Sequence, residues 1–524
     1  MWDDYLQNLR GGEVWRAAQF TNPRAGATVE ALTDRQAKQA NTIAEKEEML
    51  RGESFPLNDG DQYHELPPAG QAHERITEQS VERALFSQSV KKAPGPDKLS
   101  FGAIRLLWKW NRTRIVGLTK AAVQTGRHPA FWKRESGVVI LKPGMEDYTK
   151  LKSYRTISVV SCIGKVVEKV VAELLSDEAE RRPLLCYGQF GCRNKRSAID
   201  AVAIMVDSAH AAWEEDNIKG VLLMDITAAF PSVARGRLIH ATKAKKIDGD
   251  HTQWTESCLS ERTAEMVFER NVLQSHHVEA GVPHGIPVSP ILFAIHTAGL
   301  IKWVEERVQA EGLSFVDDLG WVASRKGVNQ VVHKLEACAR ESIEWACRRD
   351  LQFDTAKTEA ALCTLRKGHK KHLRPKLTAR ITVGNGFVQF NNEATRWLGV
   401  WMVAHLMFKE HHNRCMKKAR AAEARLCALT RMHGMVPERV RAVQITCVQA
   451  IALDGSALWW DPREIGRRGD LQPLLNCQAR STLGALPTKP MGALMRESGL
   501  TPASVTLDAR QQRFTTRLAS ASEG

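Results

Sequence analysis

Two adjacent acids, Asp317 and Asp318, stand between the apolar runs Leu313-Ser314-Phe315-Val316 and Leu319-Gly320-Trp321-Val322. Short apolar runs on both sides predict two strands joined by a tight hairpin with the carboxylates at its tip. Acids are ordinary turn formers, so this pair alone says little about chemistry. A second segment changes that. Asp225 closes the apolar run Val221-Leu222-Leu223-Met224, which reads as a buried strand ending in an oxygen ligand at a sheet's edge. If the two segments pair side by side, three carboxylates converge, an unfavourable arrangement unless divalent cations neutralise it. All-oxygen donors suit Mg²⁺ or Mn²⁺. Two such ions about 4 Å apart activate an attacking hydroxyl and stabilise the leaving oxygen of an in-line displacement. Phosphoryl transfer is the chemistry this pattern indicates.

Charge points the same way. The 524 residues carry 74 Lys plus Arg against 59 Asp plus Glu, a formal net charge of +15 and a sequence pI near 9.3. Polyanions are the expected partners, nucleic acid first. No apolar run is long enough to span a membrane, and the opening MWDDYLQNLR is not a signal peptide, so no membrane partner is expected. The 11 Cys form no CxxC pair or regular framework, which suits a reducing compartment and core thiols. A chain of this length exceeds a single growing core, so two or more subdomains are expected.

Along the chain, residues 1–75 read as a polar, partly helical extension. Thr33 with Gln36 forms a capping box that predicts a helix through Ala40, Ile43 and Ala44. Thr77 caps a second helix, with Ile76 and Val81 placed as a hydrophobic staple. Residues 76–395 alternate strand-like runs (GVVIL, GVLLMDI, LSFVDDLGWVA) with helical stretches such as IGKVVEKVVAELL, which predicts an α+β domain. Residues 396–524 lose the strand signal; His411 to Met432 and ERVRAVQITCVQAIAL read as helices. Cys363, His369 and His372 match no common zinc spacing, and Ile163-Gly164-Lys165 lacks the earlier glycine of a phosphate loop.

Several blocks, in order, carry a family resemblance. LLMDITAAF, GVPHGIPVSPILF and FVDD look like polymerase motifs A, B and C; KKAPGPDKLS, VVILKPG with SYRTIS, YGQFGCR, LQFDTAKT and RWLGVW fall around them. From Ala84 to Trp401 the chain resembles reverse transcriptases of non-LTR (LINE-type) retrotransposons, of a fungal-like kind. That resemblance implies a right-hand polymerase with fingers, an antiparallel palm and a helical thumb. It also implies two Mg²⁺ (or Mn²⁺) ions on Asp225, Asp317 and Asp318. An RNA template, a DNA primer and deoxynucleotides follow as partners, with the element RNA in a ribonucleoprotein. The implied location is intracellular: the nucleus, or the mitochondrion for an intron-maturase relative.

Carried over residue by residue, the resemblance makes Phe230, five positions after Asp225, a ring that excludes a 2′-hydroxyl, although alone it reads as core. Lys142 and Arg155 would hold the triphosphate, and Gly285 would admit the nucleotide close to the backbone. Lys357 would protonate the pyrophosphate leaving group. Leu398 and Gly399 fall in the primer-grip turn. Beyond it, Arg414, Lys417, Lys418, Arg420 and Arg425 form a cationic stripe on a helix, suited to duplex phosphates or equally to plain solvation. The sequence departs from the family at His284, Ile286 and Thr156, which bears on rate and fidelity. The alternatives are an intron-maturase reverse transcriptase and a decayed nucleic-acid-binding relic. Neither an endonuclease nor a ribonuclease H is recognisable, so the chain reads as a fragment of a longer polyprotein.

Overall fold

The computed structural model describes residues 31–34, 38–55, 65–143, 145–268, 271–364, 379–391, 394–433, 435–462 and 465–522. The opening decapeptide, Gln36, His369 and His372 lie outside these residues.

Near the start, β1 (Leu32–Thr33) pairs with β2 (Gln39–Ala40), and α1 (Ile43–Ser54) follows. The predicted cap is thereby corrected. Thr33 is paired with Gln39 in a strand, and the helix is capped by Thr42, which exchanges hydrogen bonds with Glu45. Both threonines sit three residues before a Glu or Gln, so the local signal is ambiguous, and pairing with β2 decides it. Next come α2 (Glu78–Phe86) and α3 (Phe101–Gln124). Thr77 caps α2 as the sequence predicts, with Ile76 and Val81 both fully buried.

Two four-stranded sheets follow. The one that presents the acids has the order β10-β5-β9-β8: Glu359–Cys363, Ile218–Asp225, Asp318–Arg325 and Glu311–Phe315, antiparallel throughout. The other has the order β4-β3-β6-β7: Tyr154–Val159, Arg134–Leu141, Arg262–Phe268 and Asn271–Val278, with β3 and β6 parallel. Intervening helices are α4 (Cys162–Arg181), α5 (Ala198–Glu214), α6 (Arg235–Ala244), α7 (Gly249–Leu259), α8 (Ser289–Val308) and α9 (Val328–Cys347). Ile163-Gly164-Lys165 lies inside α4, as read from the sequence.

Why β5 is apolar at every position from Val221 to Met224 is visible in its two neighbours. Leu222 and Met224 enter the larger core with Val331 and Leu335 of α9, while Val221 and Leu223 enter a second core with Val202 and Met205 of α5. Side chains alternate across a strand, so a strand covered on both faces loses the polar half of its pattern. Helix α9 shows the complementary rule: Val328, Val331, Val332, Leu335, Cys338, Ala339, Ser342, Trp345 and Ala346 form its buried stripe.

The short pairs β11 (Arg380–Val383) with β12 (Gly386–Gln389) and β13 (Thr395–Trp397) with β14 (Val400–Met402) precede a helical C-terminal part. It comprises α10 (Lys409–His433), α11 (Pro437–Val443), α12 (Ile465–Leu483), α13 (Met491–Ser498) and α14 (Ala503–Ser522), with shorter turns between. The stretch predicted as one helix around Gln444 is helical, but Gln444–Gln449 adopt the wider i to i+5 form. Met416, Ala419, Ala422 and Leu426 of α10 join the second core, so this region shares its interior with the reverse face of β5. No helix among the described residues is long and apolar enough to cross a membrane.

Candidate active site

Antiparallel pairing of β5 with β9 sets Asp225 directly across from Asp318. Residues so paired have Cα atoms about 4.5–5.5 Å apart, far closer than their separation in sequence suggests. Val316 and Asp317 form the two-residue turn between β8 and β9, with Val316 at φ +61°, a left-handed conformation costly for a β-branched residue. The YGQFGCR loop braces this turn. Phe190 N–H donates to Ser314 O at 2.8 Å, and Ser314 N–H donates to Gly188 O at 2.8 Å.

The acids repel one another. Burial, reinforced by the Asp225 carboxylate, holds Asp317 above the usual carboxylate range. Partial burial together with Asp317 and Asp225 pushes Asp318 up to about 6. Lys357 supplies the nearest opposing charge: its Nζ lies 2.5 Å from Asp225 Oδ2 and 3.4 Å from Asp354 Oδ2. Burial works against the Lys357 charge, but the hydrogen bond and attraction of Asp225 outweigh it and raise its pKa. The FDTAKT segment is tied to the strand end by Asp354 N–H donating to Asp225 O at 2.8 Å. Among the described residues the aspartates form no cluster whose ligand atoms all lie within 4.8 Å of one another, and Asp225 is hydrogen-bonded to Lys357. As donors the three fit a hard divalent cation: all are carboxylates, and their mutual repulsion is what such an ion relieves.

Asp225, Asp317, Phe230, Lys142, Arg155, His284 and Lys357 line one cleft between the two sheets. Phe230 stands edge-on to His284 with ring centroids 5.2 Å apart and leans on Phe293 at 5.3 Å, so it is part cleft wall and part core. Lys142 follows β3 and donates to Lys152 O at 2.7 Å; Arg155 is exposed on β4, beside Ile140 of β3. Gly285 has φ +110°, which only glycine adopts readily. Burial, then the charges of Arg155 and Lys142, keep His284 below the ordinary histidine range and hence neutral near pH 7.

Leu398 and Gly399 form the turn of the β13–β14 hairpin, both with positive φ, at +47° and +87°. They do not line the cleft. The hairpin is anchored from below: a Cβ on Gly320 of β9 would meet the Trp397 ring at 3.2 Å. All five predicted cations of α10 are exposed. Arg414, however, is engaged by Glu410 at 2.5 Å and lies 4.0 Å over the Trp401 ring.

Sequence reading missed the N-terminal contribution. Glu53, Ser54 and Phe55, at the end of α1, line the same cleft, and Ser54 Oγ shares a 2.6 Å hydrogen bond with Thr156 Oγ1. Leu32, Ala40 and Leu50 bury against Tyr154, Met266 and Phe268 of the second sheet, which brings α1 there. The weak apolar pattern of α1 gave no hint of its destination.

A family model described as Reverse transcriptase (RNA-dependent DNA polymerase) matches residues 140–402. The chain is 26% identical over 393 residues to "Probable RNA-directed DNA polymerase from transposon BS" of Drosophila melanogaster, covering 73% of this chain and 42% of that protein. It is 24% identical over 340 residues to "RNA-directed DNA polymerase from mobile element jockey" of Drosophila funebris, covering 64% and 36%. The chain thus spans about two fifths of the length of the curated relatives it matches. Among solved structures, apo telomerase from Candida tropicalis truncated from its C-terminal domain gives a TM-score of 0.34 at 13% identity, covering 50% of this chain and 54% of that one. So weak a likeness carries no argument.

Proposed function

Because the chain belongs to the reverse transcriptase (RNA-dependent DNA polymerase) family, we propose that it extends a primer 3′-hydroxyl with deoxynucleotides on an RNA template, as the polymerase of a non-LTR retrotransposon. The observation that carries this reading is the pairing of Asp225 with Asp318, which sets Asp317 in the cleft shared by Phe230, Lys142 and Arg155.

In this reading the acid-bearing sheet is the palm, the β4-β3-β6-β7 sheet belongs to the fingers, and the helices from α10 onward serve as the thumb. Asp225, Asp317 and Asp318 would hold two Mg²⁺ ions. When bound, the ions supply charge neutralisation and activation of the attacking hydroxyl. The protein's own residues do the rest. Arg155 and Lys142 bind the triphosphate, the first by a forked contact and the second as a point charge. Phe230, held by His284 and Phe293, fills the space that a 2′-hydroxyl would need. Lys357, carrying a proton beside Asp225, is placed to donate it as pyrophosphate leaves. The exposed cations of α10 would retain the template-primer duplex. A nuclear place of work accompanies this assignment.

Primer extension by the purified chain on an RNA template with Mg²⁺ is the test. Incorporation that disappears in Asp317→Asn supports the reading. Binding of template-primer without incorporation favours a relic, and extension of DNA templates alone overturns RNA direction.

A further inference from the structure

Away from the cleft, α10 and α12 present two ligand-bearing pairs to each other. On α10, Glu423 and Cys427 are one turn apart; on α12, so are Cys477 and Ser481. The i, i+4 spacing puts both members of each pair on one helix face. One ligand atom each from Glu423, Cys427 and Cys477 lies within 4.8 Å of the others. Cys427 Sγ approaches Glu423 Oε1 at 3.2 Å, and Ser481 Oγ approaches the same oxygen at 3.2 Å. Behind them Gln444 donates to Glu423 Oε1 at 3.1 Å and to Ser481 Oγ at 2.9 Å.

Two further observations point to a ligand. Glu423 is only 4% exposed, and its second oxygen, Oε2, is buried without a hydrogen-bond partner. A bare carboxylate oxygen in the interior costs free energy unless a cation or proton meets it. A cleft lined by Cys427, Met435, Pro437, Cys477, Arg480 and Ser481 also opens onto the thiols, giving an ion a route in.

We propose that Glu423, Cys427 and Cys477 form a site for a zinc-class ion that clamps α10 to α12, with a water beside Ser481 as fourth ligand. Two sulfurs and a carboxylate are a donor set for a borderline-soft cation rather than for Mg²⁺. Zn–S bonds of about 2.3 Å in a tetrahedron place two sulfurs about 3.8 Å apart, a separation inside the 4.8 Å within which these ligand atoms lie. Gln444 fills the supporting role, holding the carboxylate by its other oxygen. Metal binding would displace the protons of these ligands to solvent. Residues 427 and 477 stand in no recognisable sequence motif, because each helix supplies only part of the donor set.

Co²⁺, added to the reduced, metal-free full chain, is a direct probe. One equivalent should produce sulfur-to-cobalt charge transfer and the intense visible bands of tetrahedral cobalt, and Zn²⁺ should abolish both. The aspartates of the cleft offer only oxygen, so Asp317→Asn should keep the sulfur band. Cys427→Ser and Cys477→Ser should each lose it, and Glu423→Gln should weaken Co²⁺ binding at least tenfold. Should the serine variants misfold, alkylation of the wild-type chain serves instead: Zn²⁺ should protect two thiols, mapped to Cys427 and Cys477, and a chelator should restore their reactivity. Absence of the sulfur band, its survival in folded serine variants, failure of Zn²⁺ to protect those thiols, or recovery of a Cys427–Cys477 disulfide as the native form would each overturn the site.

Discussion

Lys357 Nζ sits 2.5 Å from Asp225 Oδ2, so the lysine that would serve the leaving group is the ion-pair partner of a carboxylate proposed to bind metal. The two roles compete for one oxygen. Lys357→Ala should therefore slow single-nucleotide incorporation about 10²-fold through loss of the proton donor. The same change should lower the Mg²⁺ concentration needed for half-maximal rate, because Asp225 is released. Pre-steady-state extension across a Mg²⁺ series checks both effects, and an unaltered Mg²⁺ dependence would rule out the competition.

Phe230 contacts His284 and Phe293, so shortening it changes a wall of the nucleotide cleft as well as a packing contact. Phe230→Val should raise ribonucleotide use relative to deoxynucleotide by about tenfold or more, since a pocket that rejects a group by shape alone discriminates by ~1–3 kcal/mol. Competing kcat/KM values for the two sugars decide it. Equal discrimination in variant and wild type removes the gate.

On α10, Arg414 is occupied by Glu410 and Trp401, which leaves Lys417, Lys418, Arg420 and Arg425 as the better candidates for phosphate contact. Replacing those four with Gln should weaken two unrelated template-primers to a similar degree and flatten the slope of log affinity against log salt by about one per lost contact. Extension from an already bound primer should stay near normal while processivity falls. Coincident salt slopes would mark the stripe as a solvated face.

Glu168 on α4 is buried, and burial pushes its pKa up to about 8 from 4.5. Its neutral form is favoured in the folded state, so the stabilisation it contributes is present below pH 4.5 and is lost as pH rises toward 8. Glu168→Gln keeps the shape and removes the titration. Thermal midpoints of the variant should overtake those of wild type across that interval and run parallel above it. Parallel curves throughout would mean that Glu168 titrates normally.

Local pattern carried much of this molecule. The run before Asp225 and the runs around Asp317 and Asp318 predicted strands because their residues alternate or bury completely, and Thr77 announced α2 because an N-cap needs only neighbours in sequence. The ordered motifs made the polymerase family legible, and those from Asp225 to Trp401 fall within the residues that the family model matches. Three things were not legible. Thr42 rather than Thr33 begins α1, since β1–β2 pairing claims Thr33. Ser54 and Phe55 reach the cleft because Leu50 buries against the distant residues Met266 and Phe268. Glu423, Cys427 and Cys477 meet only when α10 packs on α12. Backbone propensity and side-chain periodicity act over a few residues and are written in the chain. Strand register and helix docking depend on burying apolar faces from segments far apart in sequence, so the opposition of Asp225 and Asp318 across 92 intervening positions was decided only by the folded core.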